Sequence, residues 1–126
     1  MAELAAIKIV INRSRFYSHL YKINAKEEIT KILTRHKHLY KKANHHCYAI
    51  RVNQPLNKNL IEIFKDDGEV GRPGKILLDI LIRNNLDQHA LVVSRIFGGE
   101  KLGIGGVSRA FKDAGEYTIK HYNTLK

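Results

Sequence analysis

Five glycines in nine positions, Gly98, Gly99, Gly103, Gly105 and Gly106, interrupt the chain between two apolar patterns. Before them, Leu91, Val92, Val93, Ile96 and Phe97 form a short run rich in β-branched residues, the signature of a buried strand. After them, Val107, Ala110, Phe111 and Ala114 recur at the spacing of an amphipathic helix, which predicts a helix from Val107 to about His121. A strand that leads through glycines into a helix is one geometry in which backbone N–H groups cradle an anion. The spacing matches neither a P-loop nor a dinucleotide fingerprint. A tight chain crossing that needs glycine for packing is the competing reading. Positive φ expected at Gly103 and Gly105 makes both resist replacement by Val under either reading.

Upstream, Ile7 to Ile11 alternates as a strand, with a turn at Asn12-Arg13-Ser14. Arg15 to Ile23 reads as a second strand, with Phe16, Ser18 and Leu20 on one face and Arg15, Tyr17, His19 and Tyr21 on the other. That second face either packs with its hydroxyls outward or stacks bases while meeting phosphates. Asn24 and Glu27 open a helix that runs to about Lys42, with Ile29, Ile32, Leu33, His36, Leu39 and Tyr40 inward. Strands at Asn44 to Val52 and Leu60 to Lys65, a helix at Lys75 to Arg83 and a strand from Ala90 complete the order ββαββαβα. This is an α+β chain of 126 residues, read as a single domain over 1–126, and it fits a two-layer sandwich with helices on one face and the other face open.

Charge narrows the choice of partners. The chain carries 22 Lys and Arg against 12 Asp and Glu, a net charge of +10. Residues 1–65 hold 13 of those cations and 4 of the acids. Lys31, Arg35, His38 and Lys42 fall at helical spacing, with Lys37 and Lys41 beside them. No acid follows Glu28 to offset their repulsion, so the ridge is read as a phosphate-contacting surface. A single cysteine, Cys47, forms no internal disulfide and suits a reducing cytoplasm. No signal peptide or membrane span is expected.

Two clusters carry possible chemistry. His45, His46 and Cys47 sit together on a strand, but one cysteine cannot furnish a structural zinc site, and a Cys–His nucleophilic pair lacks an evident orienting group. Asp66, Asp67, Gly68 and Glu69 put three carboxylates in four residues. They either hold a divalent ion and act as bases, or serve as turn and capping groups ahead of Pro73. The second is the expectation, with no metal and no cofactor.

The segments HHCYAIR (45–51), DDGEVGRPGKILLDIL (66–81) and VVSRIFGGEKLGIGGVSRAF (92–111), with Ser14-Arg15-Phe16 ahead of them, resemble the IMPACT family, translational regulators of eukaryotes with small bacterial and archaeal relatives. The resemblance implies a fold like the second domain of a small-subunit ribosomal protein. It also implies a motif pocket made by His46, Tyr48, Asp66, Asp67, Gly68, Glu69, Gly98, Gly99, Gly103, Gly105 and Gly106. Val70-Gly71-Arg72-Pro73-Gly74 is one residue shorter than the bacterial pattern and lacks its Ser and Thr. The chain is expected to be the family's core domain alone, without the partner-binding domain of the eukaryotic regulators or the ferredoxin-like C-terminal domain of the bacterial members.

Charge and resemblance together give an expectation of a cytoplasmic, non-enzymatic module that binds RNA or the ribosome in translation or its regulation. Lys31, Arg35, Lys37, Lys41 and Lys42 would meet phosphates, with Arg95, Lys101 and Arg109 flanking the glycines. The alternative is a hydrolase or phosphotransferase that uses Asp66, Asp67 and Glu69.

Overall fold

In the computed structural model, which describes residues Met1–Lys126, every strand pairs antiparallel in one five-stranded sheet. Strands β1 (Ala2–Ile11) and β2 (Ser14–Lys22) form a hairpin whose two turn residues, Asn12 and Arg13, both have positive φ, as the twist of a two-residue hairpin requires. Strands β3 (His45–Asn53) and β4 (Leu60–Lys65) form a second hairpin, and β5 (His89–Ile96) inserts between the two, giving the order β1-β2-β5-β3-β4. The last strand in sequence is therefore the central one. Its apolar run is buried on both faces, and seven of its eight residues are inaccessible.

A strand buried on both faces needs cover on both. On one face α2 (Pro73–Arg83) and α3 (Gly103–Leu125) pack Leu77, Ile80, Leu81, Val107, Phe111 and Ile119 against Phe16, Leu20, Cys47, Ala49, Leu91 and Val93. Phe16 and Phe111 meet edge to face, with ring centroids 5.3 Å apart. On the other face α1 (Ile29–Leu39) packs Ile29, Ile32 and Leu33 against Tyr21, Ile23, Tyr48, Ile50, Val52 and Val92.

The α+β class and the element order match expectation; the placement of helices on a single face does not. The face opposite α2 and α3 is half covered by α1, because Tyr21, Tyr48, Ile50 and Val92 make it apolar too. What stays open is its β1 side, where Ala6, Lys8 and Val10 are exposed beside Arg15 and Tyr17.

Strand β1 starts earlier than expected, at Ala2, and α3 runs on to Leu125; three further boundaries move, each for a local reason. Helix α1 ends at Leu39, because Tyr40 leaves helical geometry and lays its ring on Tyr17 at 4.1 Å, so Lys41 and Lys42 lie in the turn beyond it. Its start is a short 3₁₀ turn at Lys26–Glu28, and Glu28, rather than Glu27, accepts the backbone N–H groups of Asn24 and Ala25. Helix α3 begins at Gly103, four residues before Val107, so Gly103, Gly105 and Gly106 belong to its first turn and only Gly98 and Gly99 to the connection. Gly103 has φ +74°, which explains glycine there; Gly105 is not in the positive-φ region, and a Cβ on it would meet nothing within 4 Å. The expectation that Gly105 is forced by backbone conformation is thus corrected.

Candidate functional site

The acidic segment folds as a tight turn between β4 and α2 and spends its carboxylates separately. Asp66 Oδ1 accepts the N–H of Gly74 at 2.8 Å, which ties the turn to the start of α2. Asp67 Oδ2 accepts the N–H of His46 at 2.7 Å, and the Asp67 carbonyl lies 2.8 Å from His45 Nδ1. Glu69 turns inward and takes Arg95 Nη1–H on Oε2 at 2.9 Å. No three His, Cys, Asp or Glu side chains converge as a metal-holding group. The Cys47 thiol donates to the Asp66 carbonyl at 3.1 Å, and burial, reinforced by Glu69, Asp67 and Asp66, pushes its pKa up, away from a nucleophilic thiolate.

Arg95 joins this turn to the glycine segment. It is buried between the rings of Phe16 and Phe97, and its Nη2–H donates to Ser14 Oγ, which also accepts the N–H of Gly98. At Gly98 a Cβ would lie within 2.1 Å of the Arg13 backbone, so the end of β5 presses directly on the β1–β2 turn. This is the packing role for a glycine, realised at one position.

The eight cations named from sequence are not brought together. Lys31, Arg35 and Lys37 are exposed on α1, and Lys41 and Lys42 just beyond it. Lys101 and Arg109 are exposed at the start of α3, across the sheet. Arg95 is inside, committed to Glu69. The motif residues divide likewise: His46 and Tyr48 point towards the α1 face, while Asp66, Glu69 and Gly98 gather on the α3 side.

The exposed surface at the end of α1 has a form that the helical ridge alone does not suggest. Arg15, Tyr17, His38, Leu39, Tyr40, Lys41, Lys42 and Ile96 line a shallow groove of about 420 Å³. Its four basic side chains come from β2, the last turn of α1 and the turn beyond, and no carboxylate lines it. Tyr17 and Tyr40 stack at its base, and Lys8 lies over the Tyr17 ring at 5.8 Å. The strand face of Arg15 and Tyr17 carried the signal for this groove, but Lys8 and Ile96 could be placed only by strand pairing.

Beneath the groove runs a buried polar chain. Glu3 Oε1 lies 2.5 Å from His19 Nδ1 and accepts its N–H, which leaves Nε2 to accept from the Tyr40 hydroxyl at 2.6 Å. Tyr21 O–H then donates to His36 Nε2, His36 Nδ1–H to Ser94 Oγ, and Ser94 O–H to His46 Nδ1, at 2.8, 2.8 and 2.7 Å. This order makes each of these five bonds with neutral imidazoles, and the Tyr21 hydroxyl, 3.3 Å from His19 Nδ1, joins the two segments. Burial is the first cause that lowers the pKa of His19, His36 and His46, and His36 falls to about 3. Ser94 sits between two imidazoles yet is wholly inaccessible, which denies it the role of a nucleophile on an external substrate.

A half-covered antiparallel sheet, an exposed basic groove at one end and an acidic turn whose carboxylates accept internal hydrogen bonds define the class, an α+β domain with one antiparallel sheet. Residues 12–119 match the model of the Impact N-terminal domain, and the chain belongs to the IMPACT family. It is 32% identical over 127 residues to IMPACT family member YvyE of Bacillus subtilis (strain 168), covering 98% of this chain and 56% of that protein. A solved structure described as that of a hypothetical protein superposes with a TM-score of 0.84 at 28% identity, covering 94% of this chain and 57% of its own. The two-domain translational regulator Yih1 has the same fold, with a TM-score of 0.63 at 21% identity over 96% of this chain and 47% of Yih1. The chain thus spans about half the length of the relatives it matches. No helix is long and apolar enough to cross a membrane.

Proposed function

We propose that this domain is a non-enzymatic module that binds RNA, free or on the ribosome, in the cytoplasm, as part of translation or its regulation. The observation that carries this reading is the groove at the end of α1, where Arg15, His38, Lys41 and Lys42 surround stacked Tyr17 and Tyr40 with no carboxylate among them. Clustered cations attract phosphate through counterion release, and the aromatic base gives a stacking surface indifferent to sequence. Lys31 and Lys37 continue the positive surface along α1, with Lys8 on β1, while Arg35 beside them lies 3.8 Å from Glu3 Oε1. Kinship with the IMPACT family, and a fold shared with a protein described as a translational regulator, support the connection with translation. For the alternative, a hydrolase or phosphotransferase, Asp66, Asp67 and Glu69 would have to give up the bonds they make to Gly74, His46 and Arg95.

Photocrosslinking with 4-thiouridine RNA, followed by peptide mapping, tests the location. Adducts are expected on residues 15–17 and 38–42. Adducts confined to the start of α3 would move the interface across the sheet and overturn the assignment.

A further inference from the structure

We infer that the groove at the end of α1 takes an unpaired RNA base, laid against the stacked rings of Tyr17 and Tyr40. Glu3 and His19 are then positioning residues, which hold Tyr40 in that stack from beneath. The inference rests on the RNA reading of the groove, and it names the part of the RNA that is met and what keeps the aromatic base of the groove in place.

Phosphates alone do not account for the lining. Arg15, Lys41 and Lys42 suit a phosphate backbone, yet Tyr17, Leu39, Tyr40 and Ile96 make half of the lining apolar or aromatic. Leu39 is 47% exposed, and Val10, paired with Arg15 on the neighbouring strand, is 57% exposed. Apolar side chains held open among cations suit a flat apolar partner. A duplex offers none to a shallow surface, because its bases stack on one another and turn only edges, sugars and phosphates outward. An unpaired base has a free face, whatever its identity. Lys8 Nζ stands 5.8 Å from the centre of the Tyr17 ring, near the limit of about 6 Å for cation–π attraction. Held that weakly, it is free to turn to a phosphate when a base arrives.

The stack needs an anchor, and the buried polar chain supplies one. Tyr40 is the first residue beyond α1, with φ −124° and ψ 66°, and exposed Lys41 and Lys42 follow it in the turn. Helix ends fray, so a ring placed there is fixed only by bonds from outside the helix. Its hydroxyl lies 2.6 Å from Nε2 of His19, a β2 residue that is 4% exposed. His19 Nδ1 in turn lies 2.5 Å from Glu3 Oε1 on β1. Tyr17, also on β2, meets the Tyr40 ring at 4.1 Å with the planes 20° apart. Strand β2 therefore fixes the ring twice, by its face and by its hydroxyl, and Glu3 fixes the imidazole that holds the hydroxyl. Strands place a side chain more precisely than the turn that carries Tyr40. A ring ordered before the ligand arrives leaves its ordering entropy out of the binding step.

The test compares affinities, by fluorescence anisotropy at one salt concentration, for octaadenylate, an octamer of abasic ribose phosphates and a GC-rich RNA duplex of matched length. Octaadenylate is expected to bind roughly tenfold more tightly than the abasic octamer, as for one stacked base, and more tightly than the duplex despite its denser charge. Tyr40→Phe keeps the ring and removes the hydroxyl; His19→Leu removes the acceptor. Each is expected to cut the advantage of octaadenylate over the abasic octamer by roughly threefold, as for one lost neutral hydrogen bond, with the abasic octamer bound as before. His19→Gln, which still accepts from the hydroxyl and donates to Glu3, is expected to restore most of that advantage. Equal affinity for all three probes, with crosslinks intact at residues 15–17 and 38–42, would overturn the base contact and leave the RNA reading standing. An advantage unchanged in both Tyr40→Phe and His19→Leu, or equal losses for octaadenylate and the abasic octamer, would overturn the positioning role. No binding of any probe, together with no crosslink, would overturn the RNA reading and this inference with it.

Discussion

Glu69 and Arg95 form an ion pair of 2.9 Å with side chains only 4% and 7% exposed, 26 residues apart in sequence. The pair holds the acidic turn against the end of β5, and through Ser14 Oγ it also holds the β1–β2 turn. A buried charge left alone is far more costly than a buried pair replaced whole. Glu69→Leu is therefore expected to lower stability by about 3–5 kcal/mol, and Glu69→Leu combined with Arg95→Met by clearly less. Urea denaturation of both variants measures this, and equal losses would show the pair to be uncoupled.

Asp66 and Asp67 each accept one backbone N–H, from Gly74 and His46. Asp66→Ala and Asp67→Ala are expected to cost about 0.5–2 kcal/mol, as for a lost cap, and to leave RNA affinity unchanged. Thermal melts with and without magnesium decide whether more is involved. A magnesium-dependent stabilisation that is present in the wild type and absent in both variants would reassign these carboxylates to a metal site and to the enzymatic alternative.

His36 lies between Tyr21 and Ser94 at 2.8 Å from each, and burial lowers its pKa from 6.5 to about 3. The unfolded chain takes up a proton as pH falls through about 6.5 and the folded one does not until about 3, so the stability from this group is complete above pH 6.5 and is lost as pH falls. The loss approaches about 1.4 kcal/mol per pH unit from His36 alone, and His19 and His46, also lowered, add to it. Melting temperatures between pH 7.5 and 5 are expected to fall steeply, and His36→Gln to start lower but fall less. A flat profile would contradict a neutral buried chain.

Element types were legible because local pattern and global fold agree: the alternation of Ile7, Ile9 and Ile11, the helical stripe of Ile29, Ile32 and Leu33, and the apolar run of β5 each name their element. Uniform burial of Leu91, Val92 and Val93 also contained the correction, since a strand apolar on both faces must be covered on both. The extent of that cover was not legible, because α1 reaches only part of the sheet and the uncovered part depends on pairing register between distant strands. Arg95 looked like a surface cation because its partner Glu69 lies on another element. Lys41 and Lys42 belonged to a ridge only while the helix was taken to continue past Leu39. Gly103, Gly105 and Gly106 read as a loop because glycine disfavours helix, and helix start geometry overrode that propensity.

The salt dependence of RNA binding tests the assignment of the groove most directly. Single-stranded RNA bound through phosphates loses affinity with a log–log slope of about −0.7 per contact neutralised. Arg15, Lys41 and Lys42 line the groove and take no part in any internal ion pair, so Arg15→Gln, Lys41→Gln and Lys42→Gln together are expected to leave the melting temperature near that of the wild type. The account predicts weaker binding and a slope flatter by about two units in the triple variant. A slope equal to that of the wild type would contradict it.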